Sequence, residues 1–436
     1  MGCEQVQLPR HPEEARKIAR KKMDITPESC PLQVGAEYEG EIEKLVYGGE
    51  GLLRVGNWTV LVPLTAAGDR VRVRILSVDR RLARATLVTV LDPSPTRRTP
   101  PCRYFGRCGG CQLQHLTDEA QREAKVGFVR ESLRRLGGID WSGPLPILFG
   151  EPWGYRSRAE LRIVRSPGGE SRIGFLEAAS DRLCEVEEDC PVLPREANRA
   201  LQEWCNAPSR LPSAATRLYV VTGEGPNGPE AQVVPATGEG ARAAEIDARG
   251  TVEQSVGAYR YRYGIRSFFQ GNRFLVEPLV ETALGEVRGE TAIDLYAGVG
   301  LFTLPLASRF RRVCAVEGSR LSVAHGEANV RRHGLQNVTY HPLSVEHWLG
   351  QRSRGWERPD LLLLDPPRAG AGRVIIARIV ALAPVQIVYV SCDPATLARD
   401  LKQLAAAGYH PTAVTAVDLF PQTYHVETVV QLRRSS

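Results

Sequence analysis

Cys392 closes the apolar run QIVYVS and is followed at once by Asp393 and Pro394. A cysteine just past a buried strand of an open α/β sheet stands where such sheets bind ligands, and as a thiolate it could add to an electrophilic ring carbon. A cysteine there can also be no more than a small hydrophobe. Asp365 ends another apolar run, LLLLDPPR, and Pro366 and Pro367 lead the chain rigidly off the sheet edge because each fixes φ and removes an amide donor. Glu427, inside the apolar HVETVV, is a costly residue for a β-branched strand unless it is paired or functional.

Two further groups could bind something. DLYAGVG (294–300) sets Gly298 and Gly300 at a strand-to-helix turn, and Glu317 ends the next strand nineteen residues after Gly298. Glycines admit a ligand close to the backbone, and a carboxylate at that distance can accept from both hydroxyls of a ribose. The pair fits S-adenosylmethionine or a nicotinamide cofactor; an ordinary βαβ crossover is the plainer alternative, and Thr303 stands where a dinucleotide fingerprint wants a third small residue. In CRYFGRCGGCQLQH, Cys102, Cys108 and Cys111 are separated by five residues and then by two. Ten cysteines this unevenly placed suit metal binding or chemistry better than a disulfide framework. Spacing alone leaves zinc and an iron–sulfur cluster open, and leaves the fourth ligand open among His115, Cys184 and Cys190.

The elements that must hold these residues fall into stretches of different texture. At 436 residues the chain predicts two to four domains. From about 32 to 92, five short alternating runs (EYEGEIEKLVY, GLLRV, WTVLVP, VRVRIL, ARATLVTVL) predict a small β-barrel of the oligonucleotide-binding type. LDPSPTRRTPP reads as a stiff linker, and TDEAQREAKVGFVRESLRRLGG as a helix capped by Thr117 and stopped by Gly137-Gly138. Residues 140–262 mix strands and helices, with TGEGPNGPEAQ and ATGEGARAAE as surface loops. From about 290 onward buried strands alternate with helices, which predicts an α/β fold with a parallel doubly wound sheet, ending in a strand pair.

Charge points to a polyanion. The net charge is +6, yet residues 54–111 hold eleven arginines against three acidic residues, an excess of +8 that is the footprint of a polyanion partner, usually nucleic acid, with a solvated basic face as the plainer alternative. No apolar run is long enough to span a membrane, and the first 31 residues form a polar extension expected to be disordered, without a signal-peptide core. A cytoplasmic protein is expected, with monomer as the default.

The ordered set GEIEKLVYGGEG, CRYFGRCGGCQLQH, GYRSRAELRI, EEDCPVL, SFFQGN, DLYAGVGLFTLPLA, DPPR, SCDPATLARDL and HVETVVQL resembles the bacterial RNA uracil-5-methyltransferases over about 32–434, in particular the iron–sulfur branch that acts on 23S ribosomal RNA. The resemblance implies a TRAM barrel over 32–92, a central α+β domain over 93–262 carrying a 4Fe–4S cluster on Cys102, Cys108, Cys111 and Cys190, and a Rossmann-like S-adenosylmethionine-dependent domain over 263–436. It implies that Cys392 attacks carbon 6 of a flipped uracil and that Glu427 removes the proton from carbon 5, with Gln270, Tyr296, Glu317 and Asp365 at the cofactor and Phe268 as a stacking surface. Arg368 would steady the loop or a carboxylate. The sequence departs from many relatives at Leu301 and over 342–346, where those carry asparagine.

Three rivals differ in detail. RNA cytosine-5-methyltransferases commonly place a second cysteine after the Pro-Pro pair, where Arg368 stands. Radical methylthiotransferases space their triad by three and two and carry the barrel last, the reverse of this order. A non-catalytic RNA-binding protein would have no need of both Cys392 and Glu427. Transfer RNA remains open beside ribosomal RNA as the substrate.

Overall fold

The computed structural model describes residues 32–434 apart from 167, 237–249, 352 and 354. The extension expected over 1–31 and most of the loop expected at ATGEGARAAE lie outside the described residues.

The five predicted N-terminal strands are present as Glu37–Leu45, Gly51–Val55, Trp58–Val62, Arg70–Asp79 and Leu82–Asp92, and they close into a barrel. The period-two pattern explains it: Val71, Val73 and Ile75 turn inward against Ile42, Val60 and Val62. The arginines between them turn outward, but they do not make an open basic face. Arg72 reaches Glu39 at 2.8 Å, Arg74 reaches Glu37 at 2.6 Å and Arg84 reaches Glu50 at 2.5 Å. The count over 54–111 misses the acidic first strand that pairs beside these arginines; over 32–111 there are twelve basic and eight acidic residues, an excess of +4. Such exposed pairs add little stability but they weaken the field. Arg80 and Arg81, exposed at a hairpin tip, keep theirs projecting from the barrel.

The expected stiff linker is stapled at both arginines. Arg97 donates to buried Asp69 at 2.7–2.9 Å, while Arg98 donates to Asp118 and to Gln422, each at 2.9 Å. The helix that follows, Asp118–Ser132, starts at Thr117, whose hydroxyl accepts from the Ala120 amide. It widens into a π-turn, Leu133–Gly137, and stops at Gly138 in the left-handed region at φ 64°.

Arg158–Arg165 and Arg217–Gly225 lie within a five-stranded sheet. Here TGEGPNGPEAQ is not a loop: Arg217–Gly225 and Gly228–Ala236 form a continuous antiparallel hairpin. Its glycines had suggested a turn. Gly223 instead makes room for a neighbouring strand, since a Cβ there would lie 2.0 Å from Val252 Cγ1 and 2.8 Å from the Glu253 carbonyl.

The C-terminal sheet has eight strands in the order Val338–His341, Phe310–Val316, Gly289–Leu295, Leu361–Leu364, Gln386–Ser391, Glu427–Arg434, Tyr409–Val417 and Ile147–Leu148. The first five are mutually parallel, and Glu427–Arg434 runs antiparallel between its two neighbours. Strand Leu361–Leu364 is wholly buried, as the run of four leucines requires of a central parallel strand. Apolar cores lie on both faces of this sheet. Residues 118–148 also belong to it structurally: buried Lys125 meets Asp418 at 2.5 Å, and Ile147–Leu148 forms the outer strand. Among the described residues no helix is long and apolar enough to cross a membrane.

Candidate active site

Parallel pairing delivers three segments to one edge of the sheet. Leu364 pairs with Leu295 on one side and Tyr389 on the other, so Asp365, Tyr296 and the chain after Ser391 leave the sheet together. The antiparallel strand brings in the fourth. Ser391 pairs with Thr428, so Cys392 and Glu427 flank the last pair of that ladder.

Burial governs the electrostatics of this edge. Gln270, only 4% exposed, donates from Nε2 to Asp365 Oδ2 at 3.3 Å. Burial pushes Asp365 up to about 7, with the Gln270 bond opposing the rise. Glu427 is 2% exposed, and its Oε1 has no hydrogen-bond partner among the described residues. Burial and then the charge of Asp365 hold its carboxyl well above the usual range, while Arg368 opposes them. The Cys392 thiol is pushed up to about 12 by burial, then by Glu427 and Asp365, again against Arg368. The site is therefore rich in protons, with Asp365 raising Glu427 and both carboxyls raising the thiol. Arg368 itself is exposed and lies 3.4 Å from His425 Nε2, so its influence on Glu427 acts through the field rather than through an ion pair.

The loop after Gly289–Leu295 is bent in a way that few side chains accept. Tyr296 has φ 64°, a strained value for a bulky residue, followed by Gly298 at 55° and Gly300 at 100°. The two glycines serve different ends. A Cβ on Gly300 would lie 2.7 Å from Leu304 Cδ1 and 2.9 Å from Tyr340 OH, so packing demands glycine there; a Cβ on Gly298 would meet nothing within 4 Å, which leaves open space above that peptide. Glu317 spans the loop, accepting from the Gly298 amide at 3.0 Å and the Ser319 amide at 2.7 Å, with lone pairs to spare for a diol. Leu301 is buried in the core, so the side chain at 301 packs inward.

Phe268 is 67% exposed between residues that are held firmly. Arg158 donates to the carbonyls of Ile265 at 2.8 Å, Ser267 at 2.9 Å and Phe269 at 3.3 Å, fixing the backbone that presents Phe268 and Gln270. Sequence reasoning assigned Arg158 no role, because it precedes this loop by over a hundred residues and no spacing rule links them. It also left Asp294 out of the site. Asp294 accepts from Thr303 Oγ1 at 2.5 Å beneath the glycine loop, its Oδ1 is unpartnered among the described residues, and burial pushes it up to about 7.

The four predicted cysteines lie together. Cys102, Cys108, Cys111 and Cys190 line one cavity of about 80 Å³, several times the space a water needs, with Arg156 and Phe105 also on its wall. Burial pushes Cys108 up to about 11 and Cys111 up to about 12, and the charge of Cys190 adds to both. His115 does not line this cavity: its Nε2 lies 3.1 Å from the Thr65 carbonyl. Cys184 is buried in the strand Leu183–Glu185 beside it. Among the described residues no three His, Cys, Asp or Glu side chains converge closely enough to hold a single metal ion.

Residues 247–435 match the family model described as tRNA (Uracil-5-)-methyltransferase, and residues 38–96 match that of the TRAM domain of tRNA (uracil(54)-C(5))-methyltransferase. A protein of Synechocystis sp. named as an uncharacterized RNA methyltransferase is 35% identical, over 93% of this chain and 97% of its own length. The 23S rRNA (uracil(1939)-C(5))-methyltransferase RlmD of Alkalilimnicola ehrlichii is 34% identical, over 92% of this chain and 97% of its own. Among solved structures, the tRNA (uracil-54, C5)-methyltransferase of Pyrococcus abyssi in complex with S-adenosyl-L-homocysteine superposes with a TM-score of 0.69 at 26% identity, covering 91% of this chain and all of that one.

Proposed function

Because the chain belongs to the RNA uracil-5-methyltransferase family, we propose that it methylates carbon 5 of a uridine in RNA, with 23S ribosomal RNA as the substrate. The observation that carries the chemistry is the pair of Cys392 and Glu427 beside Asp365. Carbon 5 of uracil is a poor nucleophile until carbon 6 is attacked. The Cys392 thiolate adds to carbon 6, and the electron pair of the carbon 5–carbon 6 bond becomes available at carbon 5. Arg368 favours both anions that the route needs, the thiolate and the Glu427 carboxylate. After methylation Glu427 takes the proton from carbon 5; that bonding pair reforms the ring double bond, the carbon–sulfur bond breaks, and the thiolate leaves. Phe268 offers an exposed ring on which an extruded base can stack.

The residues present fit the cofactor. Open space above Gly298, the two-amide cradle of Glu317, Tyr296 and the Asp365–Gln270 pair together would hold S-adenosylmethionine. When bound, it supplies an electrophilic methyl group.

The four-cysteine cavity fits a 4Fe–4S cluster on Cys102, Cys108, Cys111 and Cys190. A single tetrahedral ion with bonds of about 2.3 Å needs sulfurs roughly 3.8 Å apart. A cluster of four irons takes its thiolates from wider spacing and needs a hollow between them. Its distance in sequence from the glycine loop favours a structural or RNA-folding role over redox catalysis. The division at 32–92, 93–262 and 263–436, with residues 118–148 packed into the sheet of the last unit, a cytoplasmic location and a monomeric state belong to the same proposal.

The test is incubation with ribosomal and transfer RNA and methyl-labelled S-adenosylmethionine, followed by nucleoside analysis. Label as 5-methyluridine in 23S RNA is expected; label confined to transfer RNA moves the target, and label in neither overturns the reading.

A further inference from the structure

The turn that joins the first two barrel strands reaches into the catalytic edge. Tyr47, two residues past the strand Glu37–Leu45, donates its hydroxyl to Asp393 Oδ2 at 3.1 Å, across 346 residues of sequence. Asp393 is the residue after Cys392, and its other oxygen caps the helix Pro394–Ala406 by accepting from the Ala395 amide at 2.9 Å and the Thr396 amide at 2.8 Å. Ser391, on the other side of Cys392, clasps Asp393 through two bonds: its hydroxyl donates to the Asp393 carbonyl at 3.1 Å and accepts from the Asp393 amide at 3.3 Å. The bend that carries the thiol is thus fixed from within by Ser391 and the helix cap. Tyr47 ties it to the barrel.

The same ring touches the other half of the site. It packs edge-on against Tyr424 at 5.4 Å and Phe128 at 6.0 Å, and Tyr424 lies 4.2 Å from the ring of His425, two residues before Glu427. Gly49, at φ 82°, lets the turn close in: a Cβ there would sit 3.4 Å from Gln112, Leu113 and Tyr424 alike. Burial and the facing Asp393 carboxylate hold the Tyr47 hydroxyl above its usual range, so it remains a donor.

We propose that Tyr47 is a positioning residue for the nucleophile: the barrel helps to set the Cys392 bend for attack, besides any contact it makes with RNA. The proposal rests on Cys392 being the nucleophile. It gives a reason for the barrel to share a chain with the catalytic domain, because a turn of the barrel is bonded to the residue after Cys392.

The test uses the full chain and RNA carrying 5-fluorouridine at the target, with Tyr47→Phe, which keeps the ring, and Arg80→Ala/Arg81→Ala at the exposed barrel tip. At saturating RNA, Tyr47→Phe should slow covalent complex formation about tenfold or more while KM for RNA stays within about twofold. The arginine variant should raise KM and leave the saturated rate unchanged. Asp393→Asn should slow the same step, and combining it with Tyr47→Phe should add little, because both remove one interaction. A Tyr47→Phe enzyme with the wild-type saturated rate, a loss confined to KM, or full additivity with Asp393→Asn overturns the proposal. Absence of any complex with wild type instead removes the nucleophile reading itself, and that blank tells the two failures apart.

Discussion

Cys392 follows Ser391 and Glu427 precedes Thr428, the last pair of an antiparallel ladder, and the Glu427 charge reaches the Cys392 thiol. The ladder that ends at Ser391 and Thr428 brings the two stretches of chain together. The Glu427 charge makes the Cys392 thiol harder to ionise, since a carboxylate repels a neighbouring thiolate.

That opposition gives Glu427→Gln two separable effects. Turnover should fall about 10²–10⁴-fold, as for loss of a general base, with methylated RNA accumulating as a covalent complex on a denaturing gel. At alkaline pH, where Glu427 is ionised, alkylation of Cys392 by iodoacetamide, followed by mass spectrometry of its peptide, should become faster, because a charge that raised the thiol is gone. Slower alkylation together with no trapped complex would count against the pairing.

Asp294 makes stability depend on pH. Its carboxyl ordinarily titrates near 3.8 and is pushed up to about 7 by burial. Below the lower value both folded and unfolded chains are protonated and nothing is lost; as pH rises through the upper one, the folded chain must carry a buried charge at a cost of about 4 kcal/mol. Asp294→Asn should therefore gain in melting temperature over the wild type, ligand-free, as pH goes from 4 to 8. A difference that stays constant over that range would contradict the assignment.

At the cysteine cavity, Cys111→Ser and Cys190→Ser should each lose bound iron, the visible absorbance of the cluster and several degrees of melting temperature. Cys184→Ser and His115→Ala should keep about four irons per chain, if the cluster is ligated as proposed. Iron retained in full by Cys190→Ser would point to another fourth ligand.

Much of the fold was legible because periodicity and punctuation say where a backbone is buried and where it turns. VRVRIL gave the barrel its inward valines, Thr117 and Gly138 bounded a helix, and the tetraleucine run marked a central strand. The hairpin over 217–236 was misread because glycine marks a turn and a close approach equally, and only the packing of Val252 on Gly223 separates them. The basic face was overstated because the acidic partners of Arg72 and Arg74 lie on the first barrel strand, outside the span counted. Within the site, residues that end apolar runs, such as Asp365 and Cys392, were visible as anomalies. Tyr47 and Arg158 were not, since an ordinary surface tyrosine and an ordinary strand arginine become site residues only when distant chain is folded against them.

The most direct test of the account is peptide mass spectrometry of the complex formed with 5-fluorouridine RNA, whose ring fluorine cannot be removed as a proton and so traps the adduct. The account predicts one nucleotide-bearing peptide, the one containing Cys392, and neither complex nor methyl transfer for Cys392→Ala. Attachment at any other residue, or methylation of RNA by Cys392→Ala, would contradict it.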